Sequence, residues 1–309
     1  MARWQSEFDE WMRVHYGVAG ARELQQLGMS ARTIERMTAR GRLIRILPGV
    51  FRSPQWSDTR ESVMRAACAR NEAALIGFTT AAKLWGLRGV QDLRVHVLVP
   101  HGASPELDGI VVHRCRRIDD VDRVIRPDGI RLTSPPRTLF DSADMLGLTV
   151  ARSATEQLLQ EKKCTFGTIF DTYRRLAAPR RPGTTTMRDV LASRPAWRAA
   201  LQSHLEQLVL EELERQGVPA HVPQCPIELE SGAVIHVDFG WPRWRIGLEV
   251  DDPAWHDGVE ERHRDMRRDR KAAIVGWHVV RVSRIDVDGP LREAVADVAA
   301  LIRSRRRVA

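Results

Sequence analysis

Two short runs late in the chain, Val234-Ile-His-Val-Asp238-Phe239 and Ile246-Gly-Leu-Glu249-Val-Asp251, flank the loop Gly240-Trp-Pro-Arg-Trp244. Ile235 alternates with Val237, and Ile246 with Leu248 and Val250, the period of β-strands. Gly240 and Pro242 punctuate a hairpin loop between them. Acidic side chains are poor strand formers, so one carboxylate on the first arm and two on the second need a cause. Two causes are open. Mg²⁺ takes a few carboxylate oxygens together with waters and a phosphate. Strand-end salt bridges to Arg243, Arg245 or Arg267 would gather the same acids.

The hairpin has a recognisable setting. A helix from Leu201 to Arg215, closed by Gly217 and Pro219, precedes it. A strand, Ile227 to Glu230, comes next. After the hairpin follow a charged helix from Glu260 to Lys271, an alternating strand after Gly276-Trp277, and a last helix. This ordered set (Glu206, Val237-Asp238-Phe239, Glu249-Val250-Asp251, His256, Asp265 with Arg268, Gly276-Trp277 and Arg281) resembles restriction-endonuclease-like proteins of the very-short-patch-repair type, the PD-(D/E)XK superfamily. The resemblance covers roughly the last hundred residues and implies an α/β sandwich that hydrolyses DNA phosphodiesters. By that resemblance Asp238 and Glu249 would hold Mg²⁺ or Mn²⁺, and Glu206 would join through a water or support them from behind. His256 would position or deprotonate the attacking water. Arg268 would meet a phosphate, or pair with Asp265 or Asp251. Asp251 stands where many relatives carry lysine. The turn Asp251-Asp252-Pro253 departs from the family's Asp-Gly, because Asp252 lacks glycine's freedom at positive φ.

A chain of 309 residues with 43% hydrophobic and 28% charged residues has room for two or three ordinary globular domains. No apolar run approaches the ~20 residues of a membrane span, and the first residues lack a secretory core, so a cytoplasmic protein without a membrane partner is expected. Cys68, Cys115, Cys164 and Cys225 are far apart, which speaks for reduced thiols and against a zinc site. The net charge of +8 and pI of about 10.0 favour a polyanionic partner. Arginine supplies nearly all of it. A GC-rich genome imposes the same bias, so the sign of the charge is informative and the choice of arginine is not.

Residues 1–57 carry a second pattern. Helices are predicted over Glu7–His15, Ala21–Leu27 and Ala31–Arg40, with Gly28 in the turn and Ser30 capping the third. Ile34 and Met37 would face the core, leaving Arg32, Arg36 and Arg40 as an outward stripe. Gly41 releases the chain into two short strands from Leu43 to Phe51. This is the order of a winged helix-turn-helix, which places its third helix in the major groove of double-stranded DNA. Arg32, Thr33 and Arg36 are expected near bases; Arg40, Arg42, Arg45 and Arg52 are expected near phosphates. The alternatives are a merely solvated stripe or a protein-binding module. Gly41 to Phe51 also resembles the N-terminal region of AbiEi-type antitoxins, winged-helix autorepressors, which implies a cognate toxin or self-association.

Residues 58–200 read as a mixed α/β middle domain with a helical linker. Helices are predicted over Arg60–Arg70 and Thr79–Leu87, the latter capped by Thr79 or Thr80. Strands are predicted over Leu93–Val99, Gly109–Arg114 and Gly129–Leu132. Ser134-Pro-Pro-Arg137-Thr-Leu-Phe-Asp141 opens a helix with proline in its first turn, and the whole stretch is similar to the second domain of AbiEi-like proteins. Arg137 and Asp141 are spaced for a weak helix pair. Helices over Val150–Leu176 and Thr185–Ser193 flank Pro179-Arg-Arg-Pro-Gly183, read as a linker or a basic loop touching DNA. His96, His101 and His113 lack ligand spacing. The expected class is α/β (α+β overall), with residues 201–309 as the endonuclease-like domain.

Overall fold

The computed structural model describes residues 4–100, 109–193, 195–251 and 259–308. The chain divides into two compact units, residues 1–177 with 181–190, and residues 178–180 with 191–309.

The first unit opens with α1 (Trp4–Val14), β1 (Val18–Gly20), α2 (Ala21–Gln26), α3 (Ala31–Ala39), β2 (Ile44–Leu47) and β3 (Val50–Arg52). The strands form an antiparallel sheet in the order β1-β3-β2. Phe8, Met12, Leu24, Met29, Ile34, Leu43 and Phe51 make one buried cluster beneath it. The Ser30 hydroxyl accepts the Thr33 amide hydrogen at 3.1 Å, a cap that contributes about 1 kcal/mol. Gly41, at φ +66°, takes the left-handed turn that ends α3. The winged-helix order is therefore present, with β1 as an addition: three residues are too few to show alternation.

The unit continues with α4 (Arg60–Arg70), β4 (Leu75–Ile76), α5 (Phe78–Leu84), β5 (Val95–Pro100), β6 (Ile110–Cys115), β7 (Arg123–Ile125), β8 (Arg131–Thr133), α6 (Pro135–Gln160), α7 (Phe166–Leu176) and α8 (Thr184–Leu191). Its five-stranded mixed sheet runs β6-β5-β4-β8-β7. The ion pair of Arg65 with Glu23 and the hydrogen bond from Tyr16 to Asp128 tie this sheet layer to the winged helix.

Three expectations are corrected here. Thr79 and Thr80 do not cap α5. Gly77 occupies that position, and both hydroxyls instead donate to Asp92, at 3.2 and 3.0 Å. The Pro179–Gly183 run does mark a passage between the two units, but from Arg181 onward it is packed rather than free: Arg181 reaches Asp141 at 3.6 Å and lies over the Phe140 ring. Gly183, at φ +86°, packs so closely that any β-carbon would strike the Phe140 carbonyl. Arg137 and Asp141 do pair, at 2.6 Å, but inside the protein rather than on a helix surface. The same guanidinium binds Asp122 at 2.9 Å, and Arg175 closes the other side of Asp122.

The second unit contains α9 (Pro195–Arg215), β9 (Val222–Glu228), β10 (Val234–Trp241), β11 (Ile246–Asp251), α10 (Val259–Ile274), β12 (His278–Ser283), α11 (Arg284–Asp288) and α12 (Leu291–Val308). The boundary drawn at residue 200 falls inside unbroken α9, whose Leu201 side is already buried. The sheet order is β12-β11-β10-β9, with β11 and β12 parallel and the rest antiparallel. Leu205, Val209 and Leu213 of α9 and Val295, Val298 and Ile302 of α12 pack on Phe239, Trp241, Ile246, Leu248 and Val250. Asp238 and Glu249 thus stand on the two central strands, as expected.

Candidate nucleic-acid interface

The amphipathic pattern of α3 becomes a geometric fact. Ile34 is buried and Met37 half-buried on the inner side, while Arg32, Arg36 and Arg40 are exposed. Thr33 is half-buried, and its hydroxyl lies 3.0 Å from that of Ser30, so it helps hold the helix start. On the wing, Arg42 and Arg45 are exposed, with the Arg45 guanidinium 5.2 Å from the Phe51 ring centre. Among the described residues none of these five arginines makes an ion pair with a carboxylate. Arg52 differs. Its side chain is 17% exposed and paired with Asp58 at 2.8 Å, so a phosphate would have to compete with that acid.

Exposed guanidiniums on a helix whose other face is locked in a core are ready donors for phosphates and guanine edges. Leaving them unpaired costs the fold little, since exposed ion pairs contribute under about 1 kcal/mol. What it preserves is net positive potential on one face.

The carboxylate cluster of the second unit is built differently. Glu249 alternates with Leu248 and Val250, so it points away from the α9–α12 core. Its two oxygens accept from Arg268 at 2.8 Å and Arg281 at 2.9 Å. Arg281 also pairs with Asp269 at 2.9 Å and with Asp251. Glu249 is 5% exposed, and burial, opposed by the two arginines, pushes its carboxyl up to about 7. Asp238 is held elsewhere: its oxygens accept from the Val250 amide at 2.8 Å and Gln224 at 3.0 Å. Glu206 on α9 is raised above the ordinary carboxylate range by burial and then by the charge of Asp238. Asp238 thus neighbours Glu206, whereas Glu249 neighbours Arg268 and Arg281. His256 and the Asp265 side chain lie outside the described residues.

These donors do not fit a divalent cation as they stand. Both oxygens of Glu249 are taken by guanidiniums, and among the described residues no three His, Cys, Asp or Glu side chains converge on one point. Arg281, which the sequence singled out only as part of the family motif, is the hub of these pairs. It sits beside Glu249 because β11 and β12 are in parallel register, Glu249 opposite Arg281. Alternation would have found the face of Arg281, but only the sheet order makes the two strands neighbours.

A winged helix with an arginine-bearing third helix, carried on a mixed α/β layer, is the class that this geometry defines. Residues 9–54 match the family of the AbiEi antitoxin, described as a transcriptional regulator. Two Mycobacterium tuberculosis proteins, MT2308 of strain CDC 1551 and Rv2248 of strain H37Rv, are each 27% identical over 262 residues. The match spans 84% of this chain and 92% of each relative. The crystal structure of the RV2827C protein from the same organism aligns with a TM-score of 0.41 at 16% identity, over 65% of this chain and 81% of that one.

Proposed function

We propose that this chain is a DNA-binding transcriptional regulator of the antitoxin type, reading duplex DNA through α3 and the wing. The observation that carries the reading is the exposed, unpaired set Arg32, Arg36, Arg40, Arg42 and Arg45 on a helix and hairpin whose opposite faces are core. The family match over residues 9–54 supports it. Arg32 and Arg36 contact base edges, with Thr33 between them. Arg40, Arg42 and Arg45 hold phosphates; Arg52 serves there only if it leaves Asp58. A cognate toxin, or a second copy of the chain, is the further partner of such a regulator. The test is selection from a random duplex pool. Recovery of one sequence motif, lost in Arg36→Ala, supports the reading; enrichment of no motif by a folded protein would oppose it.

A metal-dependent nuclease is the second reading, favoured by one observation, the nearness of Asp238 to Glu206, whose carboxyl is raised by burial and then by that charge. The arginines on Glu249 weigh against it. We therefore read the second unit as a folded module whose acidic cluster is neutralised internally.

A further inference from the structure

The second unit distributes its arginines unevenly. At the acidic end of the sheet Arg268 pairs with Glu249, Arg281 with Glu249, Asp251 and Asp269, and Arg284 with Asp288, while Arg267 and Arg270 of α10 lie exposed. At the other end, where the Pro242–Trp244 turn joins β10 to β11, the pattern reverses. Arg243 is exposed on this turn, and Arg303, Arg305 and Arg306 are exposed at the end of α12. Among the described residues none of the four is paired with a carboxylate. Trp244 gathers two of them, with the Arg306 guanidinium 5.2 Å and that of Arg243 5.9 Å from the Trp244 ring centres. Trp244 itself is half-buried against the core shared with α12. Arg245, at φ +51°, is exposed and donates to the Val275 carbonyl at 3.2 Å, which ties the turn that presents Arg243 to the segment between α10 and β12.

We propose that this arginine cluster, Arg243 and Arg306 at Trp244 with Arg303 one turn before Arg306 on α12, is a second surface for the phosphate backbone of duplex DNA, separate from α3. Arginines at a helix C-terminus also favour the helix dipole, but that does not account for Arg243, which lies outside the helix. Stacking on an aromatic ring orients a guanidinium in advance, so less side-chain freedom is lost when a phosphate binds. The partner follows from the ring. A single strand wants an open aromatic face for its bases, and a membrane surface wants exposed apolar side chains. Here the aromatic is half-buried and attended by cations, which suits sequence-independent contact with phosphates. The choice of DNA as the polyanion rests on the regulator reading; the site itself does not.

The experiment uses the full chain and a random-sequence duplex, with affinity followed by fluorescence anisotropy between about 50 and 200 mM salt. Removing three phosphate contacts in Arg243→Ala/Arg303→Ala/Arg306→Ala should flatten the log–log salt slope by up to about 2.7, at about 0.9 per contact. Arg303→Glu alone, at an exposed helix position, should shift the slope in the same direction without touching Trp244. The parallel variant Arg32→Ala/Arg36→Ala/Arg40→Ala separates the two ideas. If it loses binding while the α12-end variants match wild type, the second surface is refuted and the regulator reading stands. If it matches wild type while the α12-end variants lose binding, the reading fails and the surface stands. No binding by wild type, or tighter binding to anionic vesicles than to duplex, refutes the surface.

Discussion

Replacing Arg137 by methionine should unfold the first unit more readily than any change on its surface. The Arg137 and Asp122 side chains are 0% exposed and that of Asp141 is 5% exposed, with Arg137 bridging the two acids at 2.9 and 2.6 Å. Its guanidinium also donates to the Arg117 carbonyl at 3.0 Å and meets the Cys115 sulfur at 3.3 Å. Removing one partner of a buried pair strands the other charge, at a cost of about 3–5 kcal/mol. For a unit of this size that lowers Tm by about 6–20 °C, at about 2–4 °C per kcal/mol. The loss should depend on pH in a defined sense. Burial already raises the Asp141 carboxyl above its ordinary range despite Arg137, and without the arginine it rises further. A group whose folded pKa is raised binds its proton more tightly in the native state. Stability therefore falls as pH climbs from about 3.9, the unfolded value, toward the folded one. The deficit of Arg137→Met relative to wild type should be larger near pH 7.5 than near pH 5, and Arg137→Met/Asp141→Asn should recover part of it. Thermal melts of the full chain at both pH values read this out. A drop of under about 2 °C, or a deficit equal at the two pH values, would refute the reasoning.

Glu249 offers a second pH test. With its carboxyl pushed up to about 7 by burial, stability should decline as pH rises from about 4.5 to 7, and Glu249→Gln should flatten that decline in denaturant midpoints. Asp238→Asn should destabilise the second unit by about 1–3 kcal/mol, because an amide serves the Val250 and Gln224 donors less well than a carboxylate. Mg²⁺ or Mn²⁺ should leave the wild-type Tm unmoved; a cation-dependent rise abolished by Asp238→Asn would restore the metal site. Gly183→Ala, at φ +86° against the Phe140 carbonyl, should cost about 1 kcal/mol or more in the first unit.

The elements that announce themselves locally were legible. Ser30, the three-residue spacing of Ile34 and Met37, and Gly41 marked α3 at both ends, and the alternation around Asp238 and Glu249 marked β10 and β11. What was hidden depends on partners distant in sequence. Arg137 and Asp141 read as no more than a weak helix pair because Asp122 and Arg175, which complete the buried network, belong to other elements. His96 and His113 lack ligand spacing, yet adjacent strands set His96 Nδ1 2.9 Å from His113 Nε2 and burial drives His113 down to about 4. The acids of β10 and β11 looked alike in sequence. Sheet order gave Glu249 two arginines and left Asp238 beside Glu206.

The central claim is that α3 reads bases while the wing holds the backbone. The most direct measurement is the affinity ratio between a selected site and random duplex, for wild type, Arg36→Ala and Arg42→Ala/Arg45→Ala. Loss of one base contact in Arg36→Ala should collapse that ratio by about 5- to 150-fold, equivalent to about 1–3 kcal/mol. The wing variant should keep the ratio and flatten the salt slope by up to about 2. A ratio and slope indifferent to all three substitutions would mean that this face of the winged helix meets protein rather than DNA.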